Sequence, residues 1–231
     1  MIMQLLKNQR KCILIDIDTQ KDFLSAGSSY CIRDHRMILA NIRRVMAWAR
    51  YKNISIISTA EVFYNYGQCS MGHCLEGTEG QRKISYTLLN NRISFPADDW
   101  NALPADLLRS HRQVILHKRC IDPFEEPRID RLLSELEADE FVLIGIDTEN
   151  AVMKTALGLI QRGKNVRLIV DALGTHNKNM ANLAIRKMVA KGTKLSQTSD
   201  FAGISHLKYM RMSRNQNCIE SVHKSVKYAT N

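Results

Sequence analysis

Three sets of residues in this chain carry side chains or backbone groups suited to acid–base or acyl chemistry. The stretch "LIDIDTQKDF" supplies Asp16, Asp18 and Asp22, and a single lysine, Lys118, ends the apolar run "QVILH". A carboxylate in a mostly apolar pocket is costly to ionise without a cation nearby. An Asp18–Lys118 pair would therefore keep the acid charged or poised to relay a proton. A structural ion pair that merely orders loops explains the same residues equally well. Period-two alternation sends Asp16 and Asp18 to one face, and Asp22 is expected to bond backbone in its turn. The third set is the turn "GIDTENAVMKTA" at 145–156. A strand, a tight turn and a helix start bring backbone N–H groups together, where an oxyanion or carboxylate can be held. At its centre stand Asp147, Thr148, Glu149, Asn150 and the unreactive Ala151, with Glu149 expected to cap the helix.

The elements needed to position these groups are legible as alternating patterns. Apolar runs at 12–17, 54–58, 113–117, 141–145 and 166–170 predict buried parallel strands, with a weaker sixth at 193–197. Amphipathic spacing predicts helices in "HRMILANIRRVMAWARYK", "EPRIDRLLSELEAD", "ENAVMKTALGLIQRG" and "NMANLAIRKMVAKG". The alternation implies a doubly wound α/β domain: a mostly parallel sheet of about six strands with helices on both faces, a three-layer sandwich. Ligands in such sheets sit at the carboxyl ends of the strands, and all three reactive sets follow strands directly. The loop "GQCSMGHCLEGTEGQ" is glycine-rich enough for sharp turns or a lid, and lacks both common phosphate-binding patterns.

Composition narrows the classes. The chain has 231 residues, 45% of them hydrophobic, enough for one sizeable core. A hydrolase-sized domain over 1–203 and a basic C-terminal extension over 204–231 are expected. The extension carries Lys208, Arg211, Arg214, Lys224 and Lys227 against Glu220. The net charge is +10, yet no aromatic–basic interleaving marks a nucleic-acid platform. No apolar run approaches the roughly 18–20 residues of a membrane span, and "MIMQLLKNQRK" is too short in its apolar part for a secretory signal. A cytoplasmic location is the expectation. Six cysteines form no C-x-x-C pair and the seven histidines are dispersed, so no metal or other cofactor is expected.

Together these segments resemble the isochorismatase-like (cysteine hydrolase) superfamily, from about Lys11 to Gly203. "LIDIDTQKDFL" resembles its D-x-Q-x-D-F motif, which implies Asp18 as catalytic aspartate and Phe23 as a substrate-binding aromatic. "HKRCIDPF" resembles the K-x5-F segment, implying Lys118 as catalytic lysine and Phe124 as a pocket aromatic. "GIDTENAVMKTA" resembles G-x-x-T-D-x-C-V-x-x-T-A, and "CLEGTEG" resembles the C-x-x-G-T-x-G loop of the amide-cleaving members. The resemblance also implies a cis peptide at Ile146–Asp147, with Asp147 beside the oxyanion site, and a homo-oligomer.

By the same resemblance Ala151 falls on the position of the nucleophilic cysteine, and a methyl group cannot attack a carbonyl. The metal-binding residues of the nicotinamidase branch are not found in "STAEVFYNYG". True isochorismatases, which cleave a vinyl ether, carry a small residue at the nucleophile position and use the aspartate as an acid. "STAEVF" partly resembles that branch and places Glu61 where a substrate-binding glutamine is expected. Three readings stay open: a non-covalent hydrolase with Asp18 as general acid and Lys118 as its partner; a silent scaffold that binds a small molecule or assembles with a partner; and a Cys-to-Ala variant of a cysteine amidohydrolase. Cys120, two residues beyond Lys118, is read as a structural thiol.

Overall fold

The computed structural model describes residues 11–64 and 72–203; the basic extension lies outside them. The strands are β1 (Cys12–Ile17), β2 (Ser55–Glu61), β3 (Arg92–Phe95), β4 (Gln113–Lys118), β5 (Glu140–Gly145), β6 (Val166–Leu173) and β7 (Lys194–Ser196). Between them lie α1 (Lys21–Leu24), α2 (His35–Tyr51), α3 (Leu107–Ser110), α4 (Pro127–Glu135), α5 (Met153–Gln161), α6 (Lys178–Ala190) and α7 (Thr198–Ala202). All seven strands are parallel, in the order β3-β4-β2-β1-β5-β6-β7.

Alternation along each strand divides the apolar side chains between two faces. Ile13, Ile15 and Ile17 pack with Leu116, Leu143, Leu133 of α4, Leu159 of α5 and Met188 of α6. On the other face Leu14 packs with Ile56, Val142, Ile144 and Ile42, Val45 and Met46 of α2. Helices thus cover both faces of the sheet, as the alternating pattern requires. Among the described residues the sheet has seven strands where about six were expected. The additional one, β3, is a short edge strand with alternating exposed and half-buried residues, so it lacks the continuous apolar run that marks its neighbours.

From β1 the chain builds outward in one direction through β2 and β4, then in the other through β5, β6 and β7. This reversal opens a crevice at the carboxyl ends of the strands around β1 and β5. Gly145 closes that end of β5 with φ of 129°, and a Cβ there would lie 2.0 Å from the carbonyl oxygen of Ile17. Only glycine permits both the backbone angle and the approach. The peptide that follows, Ile146–Asp147, is cis.

Candidate functional site

The aspartate that follows β1 and the charged residues that end β2 and β4 meet inside the protein. Lys118, fully buried, places Nζ 2.9 Å from Asp18 Oδ2 and 2.9 Å from Glu61 Oε1, and donates to the carbonyl of Cys120 at 3.1 Å. Burial alone would lower the Lys118 pKa, but the two carboxylates outweigh it and hold the ammonium above its usual range. Burial pushes Glu61 up, Lys118 pulls it back and Asp18 adds to the rise. Asp18 Oδ1 accepts from Thr59 Oγ1 at 2.7 Å, whereas Oδ2 makes the ion-pair contact without a well-directed hydrogen bond. Gln20 brackets Glu61: its Oε1 accepts from Glu61 N at 2.8 Å, and its Nε2 donates to Glu61 O and Gln81 O, both at 2.7 Å.

Asp16 and Asp18 do not share a face, contrary to the alternation. β1 stops at Ile17 and Asp18 takes a left-handed φ of 47°, which turns its carboxylate toward Thr59 and Lys118. Asp16 instead accepts from Thr19 and Ser58 and pairs with Lys83 at 3.1 Å, a structural role. Asp22 accepts from the backbone N–H of Cys74 at 2.7 Å, as expected of a turn aspartate.

Above the triad is a cavity of about 380 Å³ lined by Phe23, Ser29, Tyr30, Glu61, His73, Ile121, Asp147, Asn150, Ala151 and His176. Of the residues expected at a site, Phe23, Glu61, Asp147 and Ala151 form its wall. Asp18 and Lys118 do not: they lie beneath Glu61, at 1% and 0% exposure. Phe124 is placed elsewhere. Its ring fills the gap left by Gly158 on α5, under the Arg162 guanidinium at 3.9 Å from the ring centroid. Cys120 presents its carbonyl, not its thiol, to Lys118, and burial together with Glu125 raises that thiol's pKa. A larger hollow of about 660 Å³ opens at the opposite, amino-terminal end of the sheet, lined by Cys12, Ser55 and Leu107 among others. It contains none of the clustered groups above, so the smaller cavity is the functional candidate.

The turn after β5 is a π-helical segment, Thr148–Val152, that leads into α5. Thr148 fixes it to the end of β6 by donating to Gly174 O through both N and Oγ1. Glu149 accepts from Thr175 Oγ1 and from Asn177 N, so it ties α6 to this turn. Asp147 Oδ2 accepts from Asn150 at 2.8 Å, while Oδ1 is buried without a partner. Burial, reinforced by Glu149, raises the Asp147 pKa from 3.8 to about 8. Glu149 is held below its usual range: burial opposes this, but hydrogen bonds from Asp147, Thr175 and backbone prevail.

His73, Tyr30 and His176 also line the cavity, though no sequence motif singled them out. His176 follows the carboxyl end of β6, so the strand-end rule could have found it. His73 sits among the rings of Phe23, Tyr30 and Phe63, with centroids 4.9–5.3 Å apart, and burial lowers its pKa. Tyr30 comes from the loop after α1 and carries no local signal.

Donor atoms of Glu61, His73 and Cys74 lie within 4.8 Å of one another. His73 Nδ1 is buried without a hydrogen-bond partner among the described residues, 3.6 Å from Glu61 Oε2. An orphaned imidazole nitrogen beside a carboxylate and a thiol fits a divalent cation of the zinc class. Burial and the nearby Glu61, Asp18 and Asp22 raise the Cys74 thiol's pKa, so binding would have to displace its proton.

An all-parallel α/β sheet with its charged cluster at the carboxyl ends defines the class, and comparison with known proteins supplies the family. The isochorismatase domain model matches residues 12–200, and the chain belongs to that family. The chain is 22% identical over 198 residues to a protein of Arabidopsis thaliana named "Probable inactive nicotinamidase", covering 80% of this chain and 91% of that one. Among solved structures, it is similar to a pyrazinamidase of Pyrococcus horikoshii in complex with zinc, with TM-score 0.62 and 22% identity over 81% of this chain and 99% of that one. It is also similar to an isochorismatase family protein of Desulfovibrio vulgaris, with TM-score 0.65 and 20% identity over 83% and 96%.

Proposed function

We propose that this protein is a small-molecule-binding member of the isochorismatase family that does not carry out covalent hydrolysis. One observation carries the reading: the cavity presents the methyl of Ala151 where the family resemblance sets a nucleophile, while Asp18 and Lys118 are sealed beneath Glu61. Among the described residues no cysteine lines the cavity, so the wall offers no thiolate to attack a carbonyl. Retention of Asp18 and Lys118 has a structural explanation, because losing one partner strands the other charge at a cost of about 3–5 kcal/mol. The similar Arabidopsis protein carries the word "inactive" in its name, which agrees with this reading.

Within the site each residue has a binding role. Phe23 and Tyr30 supply apolar wall, Glu61 and Asp147 supply carboxyl groups, and Gln20 fixes the backbone from which Glu61 projects. Where a divalent cation is bound, Glu61, His73 and Cys74 would hold it and it would supply Lewis-acid polarisation of a ligand oxygen.

A second reading, non-covalent hydrolysis of a vinyl ether, draws support from Asp147. A carboxyl with a pKa of about 8 holds its proton at neutral pH and can act as a general acid. Incubation of the full chain with vinyl ethers and amides separates the two. The binding reading expects recovery of unchanged ligand, whereas product formation lost in both Asp18→Asn and Asp147→Asn would replace it with the hydrolase.

A further inference from the structure

The cavity wall combines rings with acids and, among the described residues, includes no lysine or arginine. Phe23, Tyr30, His73 and His176 contribute rings, and Glu61 and Asp147 contribute carboxyl groups. This contrasts with the chain as a whole, which carries a net charge of +10. Lys118 lies behind Glu61 and is matched by two carboxylates. Its field therefore does not make the pocket attractive to anions. An anionic ligand would face Glu61 and Asp147 with no counter-charge on the wall.

A cation meets the opposite situation. Aromatic rings attract organic cations through their quadrupoles, an effect worth about 0.5–2 kcal/mol. The rings of Phe23 and Tyr30 lie against His73, with centroids at 5.2 and 4.9 Å, so they form one continuous surface rather than scattered contacts. Asp147 Oδ1 is buried at the wall with no directed hydrogen bond among the described residues. At about 380 Å³ the cavity lies toward the small end of ligand pockets, suited to a single ring or a short branched amine.

We propose that this pocket takes a small organic cation of the N-alkylpyridinium or protonated-amine class, its charge beside Asp147 and Glu61 and its apolar body against Phe23 and Tyr30. The assignment rests on the binding reading above and narrows it to one ligand class. Binding of a fixed charge favours ionised Asp147, so affinity rises as pH passes through the range in which that group loses its proton. Glu149 on the same turn, Glu61 from β2, His73 from the glycine-rich loop and His176 after β6 are the titratable groups around Asp147.

Isothermal titration of the full chain tests this, with chelator present to keep metal off Glu61, His73 and Cys74. The probes are N-methylpyridinium, benzamide and benzoate, each a six-membered aromatic ring with one substituent, differing in charge. N-methylpyridinium should bind about tenfold or more tightly than either other probe, equivalent to about 1.4 kcal/mol. Its affinity should fall at least about fivefold in Asp147→Asn and in Tyr30→Leu. Wild-type affinity should rise by a similar factor from about pH 6.5 to about pH 9, a readout that needs no variant to fold. Equal or tighter binding of benzoate or benzamide would overturn the proposal, as would no N-methylpyridinium binding at about 10 mM. A pH-independent affinity that also survives Asp147→Asn would do the same. Hydrolysis of benzamide would instead contradict the silent-scaffold reading, and tight benzamide binding without turnover would sink only the charge assignment.

Discussion

Lys118 shows how a buried ion network gives a motif residue a structural role. Its ammonium is buried between Asp18 and Glu61, so Lys118→Met should leave two uncompensated carboxyls and destabilise the protein by about 3–5 kcal/mol. Urea denaturation measures this, and a loss below about 1 kcal/mol would show that water reaches the triad. By contrast, Arg109→Ala, which removes the exposed pair with Asp106, should change stability by less than about 0.5 kcal/mol. Asp147 makes a pH prediction. Its folded pKa of about 8 lies above the ordinary 3.8, so the folded state binds the extra proton between those values. Stability from this group is therefore present at low pH and lost as pH rises toward and through about 8. Glu149 shifts the other way, but its window lies below its ordinary 4.5. Asp147→Asn should flatten the decline and add on the order of 1–2 kcal/mol at alkaline pH, the full shift being reduced by solvent near a partly open side chain. Parallel denaturation curves for variant and wild type across the same pH range would contradict that assignment.

Elements set the site because strand ends converge, and the strands were legible for a simple reason. Buried parallel strands need unbroken apolar runs, and β1, β2, β4, β5 and β6 have them. The edge strand β3 does not, and its half-exposed "RISF" offers no such signal. Alternation also misplaced Asp18, because a positive φ at the end of β1 overrides the period of two. Phe124 shows a further limit of spacing: packing against Gly158 and Arg162, rather than its distance from Lys118, decides where the ring goes. A Cβ at Gly158 would lie 2.0 Å from that ring. Gly158→Ala should therefore cost about 1–3 kcal/mol through overpacking. An unfolding midpoint equal to the wild type's would show that the ring moves aside freely. Because α5 carries the turn with Asp147 and Ala151, the same variant should also loosen ligand binding in the cavity.

At the scale of the molecule, the two apolar clusters draw their residues from 13–188 and 14–172, and the family match spans 12–200. A chain ending at Gly203 should accordingly keep its unfolding midpoint within about 2 °C and keep its affinity for N-methylpyridinium. A larger drop in either would place the basic extension within the folded unit. The reversal of strand order around β1 and β5 is what gathers Asp18, Glu61, Lys118 and Asp147 at one end of the sheet. Their family pattern was legible in sequence, but the depth of each group was not, since burial depends on which side chain covers which. On the proposed binding reading, that depth is what separates binding from catalysis. The most direct test is product analysis by mass spectrometry after prolonged incubation of the full chain with nicotinamide, pyrazinamide and isochorismate, beside an Asp18→Asn control. The account predicts no product from any of them above the buffer blank; product formed by the native chain and abolished in Asp18→Asn would contradict it.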